Sequence, residues 1–342
     1  MKKVRILTLD GGGIRGILPA VILNHVEKQL QVKTNNPNAV IADYFDMIAG
    51  TSTGGILTTL FLLPATEGDT KTGRYFASEA IELYKKHGKT IFTKKLPLGG
   101  LGKVFGAIYT ETGIEKILKE KIGDVKLSEV RKPCLITAYD ISSRQAVFFT
   151  NPVQEGQENR NFLMRDIARS TSAAPTYFPP AKIFSLSKKV SYLIDGGIFA
   201  NDPTMSTLVE ARKNTFNINN NPEFVPDFKD MYVVSVGTGK VLKNYDFDKV
   251  KKWGLISWVA PIIDMMMSSS AEVVSYQVKK LFEAINCPLS YVRIEPDLYD
   301  ANTDMDDASD KNIEKLEKAG LEYVKKHEKE LDAIVDELIK NG

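Results

Sequence analysis

The chain is poor in cysteine, histidine and tryptophan, and neither sign of charge dominates it. Its two cysteines, Cys134 and Cys287, lie far apart in apolar or Pro-flanked surroundings. They read as core thiols, and no disulfide framework is expected. Forty-five Lys and Arg face 43 Asp and Glu, a formal net charge of +2. That balance leaves no electrostatic footprint for nucleic acid, and no such partner is expected. No stretch reaches the ~18–20 apolar residues of a membrane span, so any membrane attachment is expected to be peripheral. Near the start, Arg5 and Asp10 cut an apolar run short of the roughly 7–15 residues of a secretory signal. A cytoplasmic location, with peripheral contact at membranes, is the expectation.

What remains is enough for a large core: 342 residues, 43% of them hydrophobic. Val4–Leu9 reads as a strand, ends in a glycine cluster, and is followed by a helical pattern over Ile17–Leu30. Tyr44–Ala49 repeats the arrangement, with Gly50 at the turn and a helix over Gly54–Leu63. Strand, sharp glycine turn and helix, twice within 65 residues, predict a parallel α/β architecture. Further strands are expected at Cys134–Tyr139, Ala146–Phe149, Val190–Ile194 and Met231–Val236. Helical spacing covers about 75–87, 111–121, 161–172, 202–213 and 255–283, and a charged amphipathic helix closes the chain at about 310–340. The Asn-rich stretch 214–222 and the acidic stretch 301–312 read as loops. With no repeat and no long linker, one domain spanning 1–342 is expected, its core at about 4–290 and its last helix docked on that core.

Gly50-Thr51-Ser52-Thr53-Gly54 lies between a strand and a helix. Gly-x-Ser-x-Gly in that position is a nucleophile elbow: the turn exposes the serine hydroxyl, and the helix dipole favours negative charge beside it. A serine nucleophile needs a base. His25, His87 and His327 all fall within helical patterns, at a helix end or on a charged face. Of these, His327 fits the chain order of an α/β-hydrolase triad, although the pattern places it mid-helix. Asp195 is the better candidate. It follows the strand Val190–Ile194, is held by Gly196-Gly197, and is expected at the rim where the other strands end. Burial would raise its pKa toward that of a useful base.

Asp10-Gly11-Gly12-Gly13-Ile14-Arg15-Gly16 admits two readings. Gly11, Gly13 and Gly16 satisfy the Gly-x-Gly-x-x-Gly dinucleotide fingerprint, but residues 29–40, where its acidic partner belongs, hold no Asp or Glu. As an oxyanion hole, the loop offers the amides of Gly12 and Gly13, with Thr53 after the nucleophile as a third donor. Arg15 either fixes this loop, holds a phosphate or the oxyanion charge, or serves in a structural ion pair.

Together with Gly50–Gly54 and Asp195-Gly196-Gly197, this loop resembles the three signatures of the patatin-like phospholipases. The stretches Ala168–Pro180 and Ser235–Gly239 extend the likeness, which covers about residues 4–290 in order and spacing. The resemblance implies an α/β/α sandwich and a Ser52–Asp195 dyad without histidine. It implies a Gly12–Gly13 oxyanion hole and neither metal nor cofactor for the chemistry. Lacking a signal peptide, the chain looks more like microbial, cytosolic members than like secreted plant storage patatins. The expected activity is lipid acyl hydrolysis of the phospholipase A or lysophospholipase type on membrane or micellar lipid. Alternatives are a regulated membrane-degrading effector using the same dyad, a non-enzymatic storage or binding protein, and a dinucleotide-binding protein. Sequence does not give the oligomeric state.

Two segments are candidates for meeting lipid. Lys251–Met267 gathers both tryptophans with Lys and Met, as a membrane-facing helix or acyl pocket would, or as a core helix would. Residues 94–110, rich in Gly and Lys, read as a lid or a plain surface loop. Asp304-Met305-Asp306-Asp307 lacks calcium-loop spacing and reads as a solvated turn.

Overall fold

All six residues of strand β1 (Val4–Leu9) are buried, and its side chains divide between two cores. Val4 and Ile6 pack with Met47, Leu208, Val278 and Phe282 on one face, while Leu7 and Leu9 pack with Ile22, Leu57 and Leu316 on the other. A strand apolar on both faces belongs in the middle of a covered, mainly parallel sheet. The computed structural model describes residues 2–95, 106–154, 156–218, 220–240 and 244–342.

The other strands are β2 (Met47–Gly50), β3 (Cys134–Asp140), β4 (Gln145–Asn151), β5 (Ala181–Phe184), β6 (Val190–Asp195), β7 (Phe216–Ile218), β8 (Asn221–Phe224), β9 (Met231–Val236) and β10 (Tyr291–Ile294). The main sheet runs β10-β9-β1-β2-β3-β6-β5, with β4 also on β3, and β7 and β8 form a separate hairpin. β10, β9, β1, β2 and β3 are parallel, whereas β4, β5 and β6 run antiparallel to their neighbours.

One face carries helices α1 (Ile17–Lys33), α2 (Thr53–Leu62), α3 (Ala77–Ile91), α4 (Glu111–Ile122) and α5 (Met164–Thr171). The short α6 (Gly197–Ala200) leads into α7 (Thr204–Ala211), which covers the opposite face. After α8 (Phe247–Val250), the long α9 (Leu255–Ala284) joins α7 there. The chain returns to the first face with α10 (Asp310–Lys326) and α11 (Glu328–Lys340), packed on α1. The result is the expected α/β sandwich with a mostly parallel sheet between helical layers.

Three expectations need correction. The Asn-rich stretch is not a loop but contains the β7–β8 hairpin, and β5 and β10 were not anticipated. These strands have three or four residues each, too few for period-2 alternation to stand out. The terminal helix is two helices, broken at His327, whose backbone (φ −116°, ψ 24°) leaves the helical region. Ile313, Leu316, Leu331, Ile334 and Leu338 stay in phase across the break, so periodicity could not reveal it. Of the 94–110 segment, residues 96–105 lie outside the described residues. Its ends pair, with Lys95 N donating to Ile108 O at 3.0 Å.

Candidate active site

β2 ends at Gly50, and α2 begins at Thr53, so Ser52 occupies the turn between them. Its backbone is strained, with φ 55° and ψ −122°. A non-glycine residue held there costs about 1–3 kcal/mol and persists only where the surroundings enforce it. They do. A Cβ on Gly50 would come 2.1 Å from Gly54 O, and one on Gly54 would come 2.2 Å from Leu9 O. Backbone meets backbone on both sides of the serine, so neither glycine can be replaced without opening the turn. Ser52 N donates to Thr171 Oγ1 at 2.8 Å, and Thr51 Oγ1 donates to Ala200 O at 2.7 Å.

Asp195 reaches this turn by an unexpected route. It ends at the expected rim, beside the C-terminal end of β2, but β6 arrives there antiparallel to β3. β2 and β6 lie on the same edge of β3, and they run head to head. Gly50 pairs with Ile136, and Asp195 pairs with Ala138 two residues further on. Two residues of strand span about 7 Å. Asp195 therefore halts where the nucleophile turn begins.

The Asp195 carboxyl is 1% exposed. Oδ1 accepts from Gly197 N at 2.7 Å, and Oδ2 is buried with no hydrogen-bond partner among the described residues. Burial raises its pKa to about 7, opposed by the neighbouring Ser52 hydroxyl and the Gly197 amide. The Ser52 hydroxyl is thus close enough to act on Asp195, yet no bond of normal geometry joins them. Such bonds often tighten only around substrate.

The glycine loop closes the site from the other side. Gly13 (φ 60°) uses the left-handed region and leaves no room for a side chain, since its Cβ would fall 2.0 Å from Met305 O. Gly11 N bonds Asn201 O, Gly16 packs on Thr53 and Tyr84, and Gly196 packs on Thr137. Gly13, Ser52 and Thr53 line a cleft with Ile56, Ile114 and Phe178, narrowed to about 40 Å³. Gly12 does not line that cleft and packs against Thr238. Arg15, 6% exposed, donates through Nε to Gly12 O at 3.3 Å and so fixes the loop.

None of the histidines joins this cluster. His25 sits in α1 near Asp332 and Glu328 of α11, and His87 in α3 near Lys121. His327, at the helix break and not mid-helix, stacks on Tyr323 and pairs with Glu330 at 2.7 Å.

Sequence reasoning missed the support beneath the loop. Arg293 of β10 grips Asp10 with both nitrogens, at 2.9 and 2.6 Å, and also bonds Asp202, Glu295 and Ser235 Oγ. Three carboxyl groups share one guanidinium in a buried setting. Burial drives the Asp10 pKa well above the carboxylate range against the pull of Arg293. For Arg293, burial is outweighed by these carboxylates and its pKa rises.

The sequence pattern of patatin-like phospholipases matches residues 7–208. Patatin-like protein 2 of Oryza sativa subsp. indica is 35% identical over 341 residues, covering 94% of this chain and 83% of that one. The chain belongs to the patatin-like phospholipase family. Patatin-15 of Solanum tuberosum is 34% identical over 338 residues, covering 94% of this chain and 84% of its own. Among solved structures, VipD from Legionella pneumophila matches with a TM-score of 0.30 and 13% identity, over 74% of this chain and 52% of that one, a likeness too loose to inform the fold. Lipid acyl hydrolysis is the activity of this patatin-like family, and its substrates are lipids. Among the described residues, no helix is long and apolar enough to cross a membrane.

Proposed function

We propose that this patatin-like chain cleaves fatty-acyl esters of glycerolipids through Ser52 as nucleophile and Asp195 as general base. The observation that carries the reading is the buried Asp195 carboxyl, with a free Oδ2 and a pKa near 7, facing a serine held in a strained turn. A carboxyl poised near neutral pH is matched to proton transfer, where an ordinary aspartate is too weak a base. Ser52 Oγ attacks the ester carbonyl as its proton passes to Asp195. The amides of Gly13 and Thr53, which border the cleft, and that of Gly12 in the same loop receive the oxyanion. One such donor is worth about 10²–10³ in rate. Asp195 then returns the proton to the departing alcohol, and water activated by the same carboxylate releases the fatty acid.

The cleft lined by Ile56, Ile114 and Phe178 suits the acyl chain. At about 40 Å³ it must widen, and Met305 beside it is a flexible wall. The first half of α9 presents Leu255, Trp258, Val259, Ile262 and Met266 to solvent along one face. Lys251 and Lys252 lie exposed at its start, and the same helix reaches the site through Met267. An apolar stripe with tryptophan and lysine at its end suits peripheral contact with a lipid surface. On this reading the whole chain, 1–342, works as one unit.

Fatty-acid release from mixed phospholipid vesicles tests the dyad. Wild type releases fatty acid, whereas Ser52→Ala and Asp195→Asn do not, and His327→Ala retains activity. Equal release by wild type and Ser52→Ala sinks the assignment.

A further inference from the structure

Two cavities of opposite character flank the glycine loop. The apolar cleft beside Ser52 and Gly13 is one. The other has a volume of about 640 Å³, within the range of ligand sites. It is lined by Asp10, Gly11, Arg15 and Asn201, by α9, and by the segments after β9 and β10, which bring in Lys240 and Asp297. Gly11 belongs to this chamber, and a Cβ placed on it would lie 3.0 Å from Ser52 Cβ. The chamber therefore starts one van der Waals contact from the nucleophile.

Its polar groups are not satisfied internally. Among the described residues, Arg15 leaves a buried guanidinium nitrogen without a partner, and Asn201, 7% exposed, leaves its Oδ1 without one. Buried polar atoms are ordinarily paired, and these two, on residues that line the chamber, are exceptions. Asp264 of α9 lines the same chamber and is the carboxylate that acts most strongly on Arg15. No ion pair joins them among the described residues. Tyr245 donates to Asp264 Oδ2 at 3.3 Å, and Glu272 lies two turns along the same helix. Arg293 is already engaged by Asp10, Asp202 and Glu295, so among the described residues Arg15 and Lys240 are the lining's remaining cations against Asp264, Glu272 and Asp297.

Resting on the hydrolase reading above, we propose that this chamber is the headgroup subsite and that it selects zwitterionic amine phospholipids. A phosphate would face Arg15, and the ammonium would lie against Asp264, Glu272 and the ring of Tyr245. Carboxylates and an aromatic face together suit an ammonium group. An anionic headgroup without an amine would meet an excess of carboxylates, since Asp264, Glu272 and Asp297 outnumber Lys240 on these walls. One ester then spans both cavities, with its acyl chain in the apolar cleft and its headgroup in the polar chamber.

The test measures kcat/KM of wild type, Asp264→Asn, Glu272→Gln and the double variant. The substrates are phosphatidylcholine and phosphatidylglycerol with identical acyl chains in detergent micelles. The expected result is a fall of about tenfold in the choline-to-glycerol preference of the double variant, the size of one partly solvated contact between opposite charges. An unchanged ratio overturns the proposal, whatever the absolute rates. Glu272 is exposed, so Glu272→Gln alone carries the test should Asp264→Asn unfold. Absence of Ser52-dependent release from either lipid by wild type would refute the hydrolase reading instead.

Discussion

The hydroxyl of Thr171 accepts the backbone amide of Ser52 at 2.8 Å. The nucleophile's own N–H is therefore committed and cannot serve an oxyanion, which leaves that task to other amides. The same threonine packs its methyl against Gly55, so the last turn of α5 braces the first turn of α2. Thr171→Val keeps the shape and removes the acceptor. It is expected to cost about 1–3 kcal/mol, the penalty for stranding a buried donor. Release of the strained turn should lower kcat by about tenfold or more. Thr171→Ser should restore both. Denaturant unfolding and steady-state kinetics on one set of proteins provide the check.

Asp195 makes opposite demands on activity and stability. Its folded pKa of about 7 lies above the ordinary 3.8 of an unfolded aspartate. Between those values the folded state holds a proton that the unfolded state has lost, so stability falls as pH rises from about 4 through 7. Activity must instead rise through about pH 7 as the base form appears. The full shift corresponds to a stability difference on the order of 4 kcal/mol. Asp195→Asn should be inactive, more stable than wild type at pH 8, and free of this pH slope. Urea titrations at pH 5 and pH 8 measure it, and a variant no more stable at pH 8 would contradict the burial argument.

Arg293 neutralises a buried cluster, so its loss strands charge. Arg293→Met is expected to destabilise the fold by about 3–5 kcal/mol at neutral pH. Part of that loss should return in mild acid, where carboxyl groups take up protons, and part on adding Asp10→Asn. Melting temperatures of the single and double variants across pH would reveal a different origin if acid brings no recovery.

The exposed stripe on α9 separates lipid contact from chemistry. Trp258→Glu with Ile262→Glu should weaken association with phosphatidylcholine vesicles by about tenfold or more. Hydrolysis of a short, water-soluble ester should persist, since neither side chain touches Ser52 or Asp195. Vesicle sedimentation read beside a soluble-ester assay distinguishes a docking face from a structural one.

Much of this was legible in local sequence. Turn chemistry alone located the strained serine and the tight glycines, because those constraints act within five residues. The strand end before Gly196-Gly197 places Asp195 at the right rim, but only pairing with β3 reveals that β6 arrives there from the opposite direction. Arg293 carried no signal at all, since its partners Asp10 and Asp202 lie 283 and 91 residues away. Thr171 lies within Ala168–Pro180, a stretch that resembles the family, but its hydroxyl acquires a role only when α5 meets α2. The break at His327 was hidden by apolar residues that kept their phase.

The head-to-head meeting of β2 and β6 along one edge of β3 has a bearing on how such a protein can change. The interval between Gly50 and Asp195 is set by two residues of extended backbone, Ile136 to Ala138. Side-chain replacement in the cleft, the chamber or the outer face of α9 leaves that interval intact. Substrate range can therefore drift by single substitutions while Ser52 and Asp195 stay in register, whereas an insertion or deletion between Ile136 and Ala138 would change that interval.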